Sequence, residues 1–257
     1  LAMLVIPLQS GSNGNCVYVE AGDVRLLFDA GISGKAAQER LARFDRSIVD
    51  VDAVLISHDH SDHARCAGVY QRKFGLSIHV THRTLAAACS RYDLGRINTV
   101  HHFEAGEEVL FNGVAIETIR TPHDGVDGVA FVIDDGRSRL GILTDLGHVF
   151  DGLLDVVCSL DAVLIESNYD PDMLEGGSYP PYLRARIRGP GGHLSNDQSA
   201  DLLARTNGRL RWACLGHLSE ENNRPELALE AHRRIVGDDR FPICVASRYQ
   251  AAGPFEV

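Results

Sequence analysis

The run His58-Asp59-His60-Ser61-Asp62-His63 directly follows the apolar stretch Ala53-Val54-Leu55-Ile56 and places four metal-ligating side chains, three imidazoles and Asp62, within six residues. The apolar residues before it predict a buried strand that ends near Ser57. Such a strand hands its ligands to a loop free to fold around an ion. Imidazole nitrogen and carboxylate oxygen suit a divalent cation, zinc first and manganese second. The bland reading, a solvated histidine-rich turn, loses ground because the chain supplies further ligands in the same setting. His123 follows an apolar segment over 114–119, Asp145 ends Leu140-Gly141-Ile142-Leu143-Thr144, and His217 ends Leu210-Arg211-Trp212-Ala213-Cys214-Leu215-Gly216. Singly, a histidine or aspartate at a strand end is more often a turn former or cap. Four apolar segments that each deliver one at the same rim define a site.

This ordered set resembles the metallo-β-lactamase fold superfamily. The resemblance implies that His58, His60 and His123 hold one divalent ion, that Asp62, His63 and His217 hold a second, and that Asp145 bridges both. A carboxylate suits the bridge, since one oxygen serves each ion and keeps the pair about 3.5–4 Å apart. Water shared by such a pair has its pKa lowered toward about 7, so the implied protein is a hydrolase, with Asp62 and Asp145 among its catalytic groups. The implied fold is α/β, a four-layer αββα sandwich with its metals at one edge between the sheets.

At 257 residues and 44% hydrophobic, the chain suits one α/β domain spanning 1–257. No apolar run reaches the roughly 18–20 residues of a membrane helix. The start, Leu1-Ala2-Met3-Leu4-Val5-Ile6, lacks the basic and long apolar parts of a secretory signal, so the expected location is cytoplasmic. Cys16, Cys66, Cys89, Cys158, Cys214 and Cys244 have no paired spacing and read as reduced core residues. A net charge of −10 argues against a basic nucleic-acid platform over the whole surface but leaves room for a local one.

Strands are expected over 4–7, 16–20, 24–28, 53–56, 78–80, 109–111, 114–119, 129–133, 139–143, 162–165, 212–215 and 243–246. Helices are expected over 36–44, 64–74, 83–91, 198–205 and 225–235. Asn112-Gly113 and Asp134-Asp135-Gly136 are hairpin signals.

Within the superfamily, Ser10-Gly11-Ser12-Asn13-Gly14-Asn15, Glu166-Ser167-Asn168, Gly192-His193-Leu194-Ser195-Asn196 and His217-Leu218-Ser219-Glu220-Glu221-Asn222-Asn223 are similar to the YycJ/WalJ-type proteins, which are related to tRNase Z. That similarity implies metal-dependent phosphodiester hydrolysis, with DNA degraded from the 5′ end and RNA as a second candidate. Tyr169 departs from the family pattern, which has a histidine after the Glu-Ser-Asn run. His193 is the candidate acid outside the metal set, as in tRNase Z-like enzymes, where a histidine in a similar setting helps to protonate the leaving oxygen. Ser195 with Gln198 forms a capping box, and the helix start behind it offers amides to a phosphate oxygen. Arg184, Arg186 and Arg188 are candidates to steer a nucleic-acid backbone, though a solvated helix or strand edge reads equally well. His148 reads as a satisfied loop residue, and His79, His82, His101, His102 and His232 as structural or exposed.

Fold does not fix substrate. Hydrolysis of a thioester, a lactone or a small cyclic phosphodiester uses nearly the same ligands and is the alternative. A β-CASP insertion has no room in the about 70 residues between Asp145 and His217. A non-catalytic metal-binding module is disfavoured, because structural zinc sites are four-coordinate and closed, whereas two ions sharing seven ligands leave room for water and substrate.

Overall fold

Most strands are apolar almost without interruption because both faces of each sheet are covered. The computed structural model describes residues 2–257; Leu1, the first residue of the expected domain, lies outside them. The first sheet contains β1 (Leu4–Gln9), β2 (Cys16–Ala21), β3 (Val24–Phe28), β4 (Ala53–Leu55), β5 (Ser77–Val80) and β6 (Val100–His102). The second contains β7 (Glu108–Phe111), β8 (Val114–Arg120), β9 (Val129–Asp134), β10 (Arg139–Leu143), β11 (Ala162–Glu166), β12 (Trp212–Gly216) and β13 (Ile243–Val245). β14 (Phe255–Glu256) returns to pair with β1, giving the orders β14-β1-β2-β3-β4-β5-β6 and β13-β12-β11-β10-β9-β8-β7. Helices α1 (Gly34–Ala42), α2 (Ser61–Ala64), α3 (Ala67–Phe74) and α4 (His82–Arg91) accompany the first sheet in sequence; α5 (Leu153–Cys158), α6 (Pro171–Gly176), α7 (Pro181–Arg188), α8 (Asn196–Ala204) and α9 (Pro225–Val236) accompany the second.

Period-two alternation sorts the strand residues into layers. Val5, Leu26, Phe28 and Leu55 meet Phe131, Ile133, Ile142 and Leu164 in a central core between the sheets. Their neighbours Ile6, Leu27, Val54 and Ile78 pack outward with Leu41, Tyr70 and Ala88 of α1, α3 and α4. Val132, Leu143, Val163 and Ile165 pack outward with Val157, Leu203 and Ala228 of α5, α8 and α9. Each fully buried Leu, Ile or Phe contributes roughly 1.5–3 kcal/mol, so three such layers make the αββα sandwich the favoured arrangement of this sequence.

The helix expected over 64–74 is broken at its start. The Asp62 carbonyl accepts from Asn15 N at 2.7 Å and the His63 carbonyl from Ala30 N at 2.7 Å, so neither serves the helix four residues on. Cys66 N turns instead to Ala30 O at 2.9 Å. The short elements α5, α6, α7, β6 and β14 were not expected, since each is too brief to show a clear period. The cysteines are free, but Cys89 is exposed and not part of the core. No helix among the described residues is long and apolar enough to cross a membrane.

Strands β3, β4 and β5 are mutually parallel, as are β10, β11 and β12, and β8 runs with β10 because each is antiparallel to β9. Asp145, Glu166 and His217 thus leave the carboxyl ends of β10, β11 and β12 at one edge of the second sheet. His123, three residues after β8, joins them there. Asp29 and His58 follow β3 and β4 at the facing edge of the first.

Candidate metal centre

Ligand atoms of His58, His60 and His123 lie within 4.8 Å of one another, as do those of Asp62, His63 and His217, and those of His58, His63 and Asp145. Asp145 reaches toward both sets: Oδ2 is 3.2 Å from His63 Nε2 and Oδ1 is 3.6 Å from His123 Nε2. His58 Nε2 and Asp145 Oδ2 are buried without a hydrogen-bond partner. Such orphaned atoms are rare in protein interiors and, in a nitrogen and oxygen donor set, they fit divalent-ion binding.

Four of the imidazoles have Nδ1 turned to a protein acceptor, whereas His60 turns Nδ1 toward His123 Nε2 at 3.2 Å. His63 Nδ1 donates to Asp29 Oδ2 at 2.7 Å, His123 Nδ1 to the Gly192 carbonyl at 2.8 Å, and His193 Nδ1 to Glu166 Oε1 at 2.7 Å. His217 Nδ1 lies 3.3 Å from the same Glu166 oxygen. Each Nε2 is thereby left for the cluster, the arrangement that fixes tautomer and ring direction in metal sites. Ser57 braces Asp29 through its amide at 2.8 Å and its hydroxyl at 3.0 Å. The second oxygen of Glu166 accepts from Leu146 N at 3.1 Å and Leu194 N at 3.2 Å.

Electrostatics divide the histidines. Burial, seconded by positive charge on His63, holds His58 well below the ordinary imidazole value, and burial takes His60 down to about 4. Burial also opposes charge on His63 and His217, but there the carboxylates prevail. Asp29, Asp62 and Asp145 hold His63 well above the ordinary value; Asp145, Asp62 and Glu166 raise His217 to about 10. Asp62 and Asp145, despite burial, are kept well below the usual carboxylate range by these same histidines.

A cavity of about 290 Å³ opens over the cluster, lined by His60, Asp62, Asp145, His193 and His217 together with Arg186. The structure places two groups of expected substrate-binding residues relative to this cavity. Ser195 does not line the cavity, and its capping box is closed: Gln198 N donates to Ser195 Oγ at 3.1 Å and Ser195 N to Gln198 Oε1 at 3.0 Å. Asn196 N is taken by the Tyr169 carbonyl at 2.8 Å, so the amides of Ser195, Asn196 and Gln198 are already satisfied. The three arginines lie on a helix, where two-residue spacing splits them between faces. Arg186 faces the cavity, held bidentately by Asp124 at 2.6 and 3.0 Å, whereas Arg184 and Arg188 both turn to Glu175. Tyr169 is buried with Leu174 and Ile187 in a small apolar cluster, and His148 Nδ1 donates to the Pro190 carbonyl at 2.7 Å.

Asp29, Glu166 and Asp124 had no role in the sequence reading. Asp29 and Glu166 close apolar strand runs just as Asp145 does, so the rim pattern that found Asp145 could have found them. Asp124, 3.4 Å from His60 Nε2 and 3.5 Å from His123 Nε2, carried no signal beyond adjacency to His123.

The family model of the metallo-beta-lactamase superfamily matches residues 10–210. The chain is 41% identical to the exodeoxyribonuclease WalJ of Streptococcus pneumoniae serotype 2 over 86% of its length and 83% of the relative's, and 32% identical to the exodeoxyribonuclease YycJ of Bacillus anthracis over 92% and 90%. The solved structure of the metallo-beta-lactamase fold protein YhfI from Bacillus subtilis superposes with a TM-score of 0.74 at 16% identity, covering 98% of this chain and 99% of that one. The chain belongs to the metallo-β-lactamase superfamily, in the group that contains WalJ and YycJ.

Proposed function

We propose that the protein is a two-metal phosphodiesterase that degrades DNA from the 5′ end. The observation that carries this reading is the pairing of two histidine clusters through Asp145, with His193 held by Glu166 at the same cavity. Its relatives WalJ and YycJ are named exodeoxyribonucleases. His58, His60 and His123 would hold one ion and Asp62, His63 and His217 the other, with Asp145 placed to serve both; zinc suits this donor set first and manganese second. When bound, the two ions supply Lewis acidity that stabilises the attacking and leaving oxygens of an in-line displacement. Glu166 accepts from His193 Nδ1 and fixes the ring, so that in the imidazolium form the second proton, on Nε2, can pass to the leaving oxygen and leave neutral imidazole. Arg186, whose Nε and Nη2 donate to Asp124, has Nη1 left to donate to a non-bridging phosphate oxygen. A net charge of −10 favours contacts close to the scissile group over a basic platform across the whole surface, as suits end-on attack.

End-labelled single- and double-stranded DNA and RNA, incubated with zinc- or manganese-loaded protein, test this reading beside thioesters, lactones and cyclic phosphodiesters. Nucleotides should be released progressively from a 5′ end of DNA, and Asp62→Ala, as the contamination control, should abolish the release. Activity confined to the acyl substrates would overturn it.

A further inference from the structure

The cavity over the candidate metal centre is more than a polar bowl. Besides its histidines and carboxylates it is lined by Tyr92, Tyr179, Leu183 and Ile187. Tyr92 follows α4 beside the first sheet, and Tyr179 sits between α6 and α7 beside the second, so the two rings reach one cavity from opposite halves of the fold. Both are half-buried on apolar support, Tyr92 against the outer core of the first sheet and Tyr179 against the Leu174 and Ile187 cluster. Hydrolysis of a phosphodiester draws on cations and proton donors. A tyrosine hydroxyl can donate a proton, but ring faces and a leucine serve no such purpose; they suit a flat, weakly polar group beside the phosphate.

We propose that Tyr92 and Tyr179 form a stacking subsite for the nucleobase that adjoins the scissile phosphodiester, an assignment that rests on the phosphodiesterase reading above. Stacking on an aromatic face tolerates every base, which an enzyme that removes successive nucleotides requires. Arg186 lines the same cavity, so the phosphate and the base of one nucleotide meet separate partners. At about 290 Å³ the cavity sits at the small end of ligand pockets, about 300–1,000 Å³, and suits a single nucleotide unit. The base therefore enters out of its stack.

The test compares metal-loaded wild type with Tyr92→Ala, Tyr179→Ala and the matching Tyr→Phe variants on two DNA substrates, one intact and one abasic at its two 5′-terminal positions. Wild type should show a KM for the abasic end about 10-fold or more above that for the intact end, on the scale of base–aromatic stacking. The alanine variants should raise KM for the intact end by a similar factor, leave the abasic end unchanged, and be rescued by phenylalanine. Tyr182→Ala, 76% exposed on α7 and outside the cavity lining, should alter neither. Equal losses on both substrates, or a wild type indifferent to the missing bases, would overturn the subsite while leaving the nuclease reading intact. The wild-type comparison needs no variant to fold. Absence of hydrolysis on both substrates would instead sink the nuclease reading, and the subsite with it.

Discussion

Loading the metal-free protein with divalent ions near pH 7 should release about two protons from His63 and His217 of the second cluster, because the carboxylates around them favour the charged ring. His58 is held well below the ordinary imidazole value and His60 lies at about 4, so neither carries a proton for the first ion to displace. His63 and His217 stand among carboxylates; the first is held well above the ordinary value and the second at about 10. Both are protonated at pH 7, and each must give up its Nε2 proton to become a ligand. For His217 the gap between about 10 and pH 7 is about three decades. At about 1.4 kcal/mol per decade, that proton competes with the second ion by the order of 4 kcal/mol.

The affinity of the second ion should therefore climb roughly 100-fold per pH unit from pH 7, one factor of ten for each proton. Calorimetric titration with zinc in two buffers of different ionisation enthalpy, at pH 7 and pH 9, counts the protons directly. Asp29→Asn removes a charge that holds the His63 proton at 2.7 Å and should reduce the count. Two binding events that each release no proton would refute this division of the site.

Asp145→Ala should lose the second ion outright and most turnover, whereas His58→Ala should weaken chiefly the first; metal analysis of each variant decides, and Asp145→Ala with two ions and full activity would remove the bridge. His193→Ala should keep both ions and lose about 100-fold or more in turnover, the scale of general acid catalysis, while loss of metal would recast His193 as a ligand. A Cβ on Gly31 would stand 1.6 Å from the Asp62 carbonyl oxygen, so Gly31→Ala should cost about 3 kcal/mol in urea unfolding and impair metal binding. Gly176→Ala, with nothing within 4 Å of the added carbon, serves as its control and should be near neutral.

The candidate ligands were legible because a site of this kind is written locally: a buried strand stops, and a histidine or aspartate follows. The fold was legible for the same reason, since runs such as Ala53-Val54-Leu55 must be covered on both faces. What escaped depends on contacts distant in sequence. Glu166 acquires its role only when β11 brings it to His193, 27 residues on, and to His217, 51 residues on. The arginines look equivalent in sequence, and only the opposing positions of Asp124 and Glu175 single out Arg186. Ser195 shows a true local signal that was asked to explain too much. The capping box forms as its spacing implies, and by forming it engages the Ser195 and Gln198 amides.

Backbone conformation ties the strands to the chemistry. Asp29, Asp145 and His217 are left-handed, with φ of 65°, 56° and 55°, and each stands just beyond the strand that delivers it. An extended residue there would continue the alternation and send the next side chain to one face of the sheet. The left-handed turn stops the strand and presents the side chain at the rim. This conformation costs a non-glycine residue roughly 1–2 kcal/mol, less for aspartate, so it persists only where neighbours hold it. They do: Asp29 N donates to the Leu55 carbonyl at 2.8 Å, and His217 N to Ser10 Oγ at 2.8 Å. Ser10 comes from the loop after β1, so the first sheet helps to set a histidine that belongs to the second. The two halves of the sandwich are thus coupled at the site itself, and a substitution such as Ser10→Ala, far from His217 in the chain, acts on its direction.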